Sequence, residues 1–223
     1  MDIILYVLAI ALVFWAQYKV KGAYSHYSTV RNDSSLTGRE VARRILDSHG
    51  LNDVEVLVSQ NGILSDHFDP KKNTVNLSPK VYNDPSIASL AIAAHEVGHA
   101  IQYAENYSMI SLRNSILPFA IVSGNLGWIA AIIGLASGLE SLFYIGVIML
   151  LVIATFQLIT LPIEFNASKR ALVQLETGNY ISFDEKADVK SMLSAAAFTY
   201  VAALLSTIFQ ILRLFLIANN RRK

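Results

Sequence analysis

The stretch Ala93-Ala94-His95-Glu96-Val97-Gly98-His99-Ala100-Ile101-Gln102 lies in a run of good helix formers that begins near Ser86. Residues four apart share one face of a helix, so His95 and His99 present two imidazoles to one point with Glu96 beside them. Neutral imidazole is a preferred Zn2+ ligand, and a catalytic zinc with three protein ligands and one open position brings the pKa of its water to about 7. Glu96 adjoins His95 too closely to be a comfortable third ligand. It is placed instead as the general base for that water as it attacks a carbonyl. Peptide-bond hydrolysis is the reaction this arrangement suits. A His-Glu-x-x-His string arises by chance in roughly one chain in a hundred of this length, so its surroundings must decide. Here Ala91, Ala93, Ala94, Gly98 and Ala100 let other backbone approach closely. A chance match falls more often on a solvated, lysine-rich surface helix.

Composition points to a small soluble module joined to membrane spans. The 223 residues are 53% hydrophobic and only 16% charged, against about 25% charged in soluble domains. A net charge of +1 gives no reason to expect a nucleic-acid partner. With no cysteine, disulfides, thiolate ligands and a cysteine nucleophile are excluded, and zinc is left to histidines and carboxylates.

The first apolar run, Ile3 to Ala16 with Tyr18 and Val20 beyond, has no basic residue before it and Lys19 and Lys21 after it. That is the reverse of a signal peptide, so residues 1–21 read as an uncleaved membrane anchor. Residues 22–114 read as a soluble metallopeptidase module. Thr37-Gly38-Arg39-Glu40 is a capping box that opens a helix to about Ser48, with Gly50 as its stop. Val54 to Val58 reads as a strand, Ser59 to Gly62 as a turn, Ile63 to Phe68 as a second strand, Asp69 to Asn73 as a turn and Thr74 to Leu77 as a third strand. A small antiparallel β-sheet is expected. Ser78-Pro79 and Asp84-Pro85 each place an N-cap before a proline, the second opening the zinc helix.

Residues 115–163 are expected to form a transmembrane helical hairpin, with Ile116 to Leu139 and Leu142 to Ile163 as spans free of Lys and Arg. Residues 164–191 are expected to be a new polar helix and a loop, and Ser182-Phe183-Asp184-Glu185 is a second capping box. Residues 192–223 form an apolar helix, read as transmembrane although Gln210 and Arg213 interrupt it, and a basic tail Arg221-Arg222-Lys223. No repeat or low-complexity linker is present. The expected fold is a mainly α, polytopic membrane protein with a zincin-like His-Glu-x-x-His helix.

A catalytic zinc needs a third ligand. His26 and His49 read as ordinary solvated residues. Glu164 directly follows a long apolar run, and from the residues alone it reads equally as an interfacial charge or as a ligand.

The chain resembles the YugP-type membrane zinc metallopeptidases, also called neutral zinc metallopeptidases. The resemblance rests on Asp66-His67-Phe68-Asp69-Pro70, on Ala94 to Gln102, on Leu161-Pro162-Ile163-Glu164-Phe165-Asn166-Ala167-Ser168, and on Ala197-Phe198-Thr199-Tyr200-Val201-Ala202-Ala203. These blocks are spread over nearly the whole chain. More distantly the sequence is similar to the HtpX heat-shock proteases and the CAAX prenyl proteases. The resemblance implies that His95, His99 and Glu164 hold Zn2+ and that Glu96 is the base. In the distant relatives an aspartate often follows the ligand glutamate by four residues; here that position is Ser168.

Two spans between His99 and Glu164 return the chain to the side it left, so Glu164 can reach a zinc held by the soluble helix. His67 competes for the third place. It lies in the strand and turn region, where extended backbone is suited to receive a peptide, and is therefore expected to contact substrate. The expected function is a membrane-embedded zinc endopeptidase acting on membrane-associated or unfolded polypeptides, in the cell membrane with its active site facing the cytoplasm by the positive-inside rule. The alternative is a catalytically silent membrane scaffold that keeps the zinc-binding fold. A di-iron oxygenase would need many more ligands than five histidines provide.

Overall fold

In the computed structural model, which describes residues 2–221, the elements run α1 (Asp2–Tyr27), α2 (Gly38–Ser48), β1 (Glu55–Val58), β2 (His67–Asp69), β3 (Thr74–Leu77), α3 (Pro79–Asn83), α4 (Ile87–Ala104), α5 (Ser108–Ser137), α6 (Glu140–Thr177) and α7 (Glu185–Arg221). The mainly α fold with a small sheet is as expected. Arg222 and Lys223 of the basic tail lie outside the described residues. Helices α1, α5, α6 and α7 are each long and apolar enough to cross a membrane. The chain divides into two compact units, and these three-dimensional units each draw on several separated segments.

One unit takes in Met1–Tyr18, Ser108–Pro162 and Phe198–Lys223. Large apolar side chains such as Phe14, Phe119 and Ile148 point outward from its helices, as suits lipid and not water. Gly138, at φ +75°, makes the tight connection between α5 and α6. Gly134 lies against the backbone of Phe143 and Gly146 against that of Ala131, so small residues bring α5 and α6 together. Around this contact Ala131, Phe143, Val147 and Leu150 pack with Ile211 and Leu214 of α7.

The other unit takes in Lys19–Tyr107 and Ile163–Ala197. Both arms of the Thr37 capping box are formed: Glu40 N–H donates to the Thr37 hydroxyl oxygen, and Thr37 N–H donates to the Glu40 carboxylate. The reciprocal bonds of the second box, between Ser182 and Glu185, are formed as well. Val41, Ile45 and Leu46 of α2 pack with Val75 and Leu77 of β3, Leu90, Val97 and Ile101 of α4, Leu175 of α6 and Met192 of α7. Full burial of each such side chain stabilises the fold by about 1.5–3 kcal/mol. Helix α4 is buried on nearly every side, which explains its richness in alanine and its lack of a charged face.

Four local expectations are corrected. The sheet is mixed and not antiparallel: its order is β1-β3-β2, with β2 antiparallel and β1 parallel to β3. The reason lies between β1 and β2. Gly62 and Leu64 both adopt positive φ, and the Ser65 hydroxyl sits within hydrogen-bond distance of Ser59 Oγ and the Gly62 carbonyl. The chain thus forms a wide loop that carries it past β3 instead of folding back on β1. For the same reason the second strand does not begin at Ile63, which is exposed in the loop, but at His67.

Third, the zinc helix is capped by Ser86, not by Asp84. The Pro85 carbonyl accepts from Asn32 N–H and Ile87 N–H donates to Val30, which keeps residues 84–86 extended; the Ser86 hydroxyl then accepts from Ser89 N–H. Fourth, no new helix begins at Glu164. Helix α6 runs through Pro162 without a break, so the proline removes one backbone donor but does not end the helix.

Candidate metal centre

Side chains from two helices distant in sequence converge within the second unit. Helix α4 presents His95 and His99 one turn apart, and α6 presents Glu164, with one ligand atom from each lying within 4.8 Å of the others. His95 Nε2 is 3.4 Å and His99 Nε2 3.6 Å from the same oxygen, Glu164 Oε2. The two rings stand nearly perpendicular, at 88°. What lets the helices approach is Gly98, where a Cβ would stand 2.8 Å from the Ala167 carbonyl oxygen.

These residues fit zinc. Glu164 Oε2 is buried and has no hydrogen-bond partner, since both histidine nitrogens lie too far away to donate well. A buried, unpaired carboxylate oxygen is unfavourable unless a cation completes it. Two imidazoles and one carboxylate make up a known catalytic zinc set, and tetrahedral bonds of about 2.0–2.1 Å place ligand atoms about 3.3–3.4 Å apart, close to the separations here. The pull for positive charge is felt at His99. Burial alone would lower its pKa, but the Glu164 and Glu96 carboxylates outweigh burial and raise it above the ordinary value.

Behind the rings, His95 Nδ1 lies 3.2 Å from Ser168 Oγ and His99 Nδ1 lies 3.0 Å from Gln102 Oε1. Ser168 therefore supports a histidine through its hydroxyl. Such outer partners fix the orientation of ligating imidazoles.

Glu96 is buried beside the histidines, and its Oε2 accepts from the backbone N–H of Phe68 at 3.1 Å. Strand β2 thereby borders the site. His67, next to Phe68, has an exposed ring whose Nδ1 lies 2.8 Å from the Ser65 carbonyl oxygen, and it is not part of the convergent group. Asp66 turns to Ser78, whose N–H and hydroxyl lie 2.6 and 3.1 Å from its carboxylate oxygens. Burial raises the Asp66 pKa, with the Glu96 charge adding to the effect. His26 and His49 are exposed and outside the group.

The Phe68 N–H and the Gln102 amide escaped the sequence reading. Gln102 could have been found, because three residues after His99 on a helix is the same face. The Phe68 contact depends on how β2 folds and has no signal in residue types.

The family model described as "Putative neutral zinc metallopeptidase" matches residues 2–219. The chain is 43% identical over 220 residues, 99% of its own length and 97% of the other, to the "Putative membrane protease YugP" of Bacillus subtilis (strain 168). No solved structure matches it. The family match covers nearly the whole chain, the convergent residues included, and the chain belongs to the neutral zinc metallopeptidase family.

Proposed function

We propose that this membrane protein is a multi-pass zinc endopeptidase in which His95, His99 and Glu164 hold Zn2+ and Glu96 is the general base. The observation that carries the reading is the partnerless Glu164 Oε2 facing two imidazole nitrogens at 3.4 and 3.6 Å. Zinc held there supplies Lewis acidity, stabilising negative charge on a peptide carbonyl and acidifying water. Glu96 accepts the proton of the attacking water at Oε1, its other oxygen being held by Phe68. That proton then passes to the amide nitrogen as the C–N bond breaks, and with the second proton of the water also taken up by the amine the products are a carboxylate and an ammonium group.

Strand β2 forms one edge of the sheet, so an extended polypeptide can align beside it with His67 in contact. This favours membrane-associated or unfolded chains over folded ones as substrates. Residues 22–114 and 164–190 carry most of the Lys and Arg, whereas the α5–α6 connection has none, which orients the site toward the cytoplasm. Cysteines placed at Ser34 and Ser141 label from opposite faces on this reading; labelling from one face rejects it.

Metal content tests the ligand set. Purified Glu164→Gln is expected to lose zinc while His67→Ala keeps it. A loaded Glu164→Gln beside a depleted His67→Ala would overturn the assignment.

A further inference from the structure

The two imidazoles that face Glu164 are held from behind in different ways. Behind His95 stands the Ser168 hydroxyl, at 3.2 Å, which can donate or accept and so suits either ring tautomer. Behind His99 stands the Gln102 amide, and its direction is imposed by its neighbours.

Arg170 Nε can only donate, so the Asn166 atom 2.8 Å from it is the amide oxygen Oδ1. That oxygen also lies 2.8 Å from Gln102, which must therefore present its NH2 group. The same nitrogen is 2.9 Å from the Ile163 carbonyl oxygen, a pure acceptor that demands the same direction independently. Gln102 Oε1 is then the atom left for His99 Nδ1, and an amide oxygen only accepts. The ring proton of His99 is confined to Nδ1, and its Nε2 offers a lone pair toward Glu164. Gln102 is fully buried, so the amide cannot turn to water. Turned over in place, it would set its oxygen against the Ile163 carbonyl oxygen and Asn166 Oδ1, acceptor against acceptor. Arg170 is itself anchored by Glu105 at 2.6 Å.

We propose that Gln102, with Asn166 and Arg170 behind it, is a positioning residue that presets His99 as a metal ligand, while His95 is left free in its tautomer. The proposal rests on the reading that His99 holds zinc. Its ring-proton component does not require zinc to be bound, which lets the two be tested apart.

The test uses the full-length, 15N-labelled protein in detergent after zinc is stripped with a chelator, at an alkaline pH where the His99 ring is neutral despite its raised pKa. Imidazole nitrogen shifts are expected to place the His99 proton on Nδ1 alone. Chelator competition then measures zinc affinity. Gln102→Met is expected to mix the His99 tautomers and weaken zinc binding about 10–100-fold, the usual scale for an outer partner. Arg170→Met leaves the Ile163 bond in place and loses less. Asn166→Asp keeps an acceptor for both donors and retains the wild-type tautomer and affinity. A His99 proton on Nε2 in the stripped wild-type protein would overturn the proposal, and that result decides even if no Gln102 variant folds. A folded Gln102→Met with wild-type affinity would overturn it too. Nδ1 protonation in a wild-type protein that takes up no zinc would instead contradict the metal reading.

Discussion

In the unit of long apolar helices, Gly134 and Gly146 bring α5 and α6 together against Phe143 and Ala131; in the other unit, Gly98 brings α4 against Ala167 of α6. The device is the same and its surroundings differ. Around Ala131 and Gly146 the neighbours are Phe143, Val147 and Leu150, and polar groups such as Ser137 and Thr160 bond to the preceding turn of their own helix. Close approach there yields packing alone. Around Gly98 the residues flanking Ala167 are Glu164, Asn166 and Ser168, which reach the histidines and Gln102. There, helix separation also sets the distances between groups that must share an ion. A glycine contact thus has chemical consequences only where the facing helix carries polar residues on both sides of it.

Alanine at each glycine sharpens that contrast. Gly98→Ala is expected to have the larger effect on the metal centre, because the new Cβ meets backbone atoms of Ala167 on the helix that carries Glu164, and one helix must move. Overpacking of this kind costs about 1–3 kcal/mol. Displacement of Glu164 and Ser168 should also lower zinc affinity, on the order of 10–100-fold as for loss of an outer partner. Gly146→Ala, whose Cβ would come closer still to the backbone of Ala131, is expected to cost at least as much in stability, read by thermal unfolding in detergent, with unchanged zinc affinity in the folded fraction. Equal losses of zinc affinity in the two variants would break the comparison.

The sequence displays some of these features and hides others. Thr37-Gly38-Arg39-Glu40 needs only its own side chains to start a helix, and both of its hydrogen bonds are formed. His95 and His99 converge because helical spacing alone puts them on one face. Gly138 ends α5 where the apolar run breaks. The sheet was harder to read, since strand direction depends on where the loop after β1 carries the chain, and Leu64 at φ +57° gives no sign of that in its residue type. The change from apolar to polar residues after Ile163 suggested a new helix, but the donor missing at Pro162 does not stop a helix whose following turn packs Ile163, Ala167 and Ala171 in the interior. The start of α4 was displaced by a contact with residues 30–32, more than fifty positions away. Local chemistry was legible, and features fixed by distant backbone were not.

The role of Glu96 is tested most directly by the purified Glu96→Gln protein, with zinc content and peptide hydrolysis measured on the same sample. An amide at this position can still accept from Phe68 N–H but cannot take a proton from water. Zinc content should remain at the wild-type level while hydrolysis falls on the order of 10²–10⁴-fold. Wild-type turnover by a zinc-loaded Glu96→Gln protein would contradict the account.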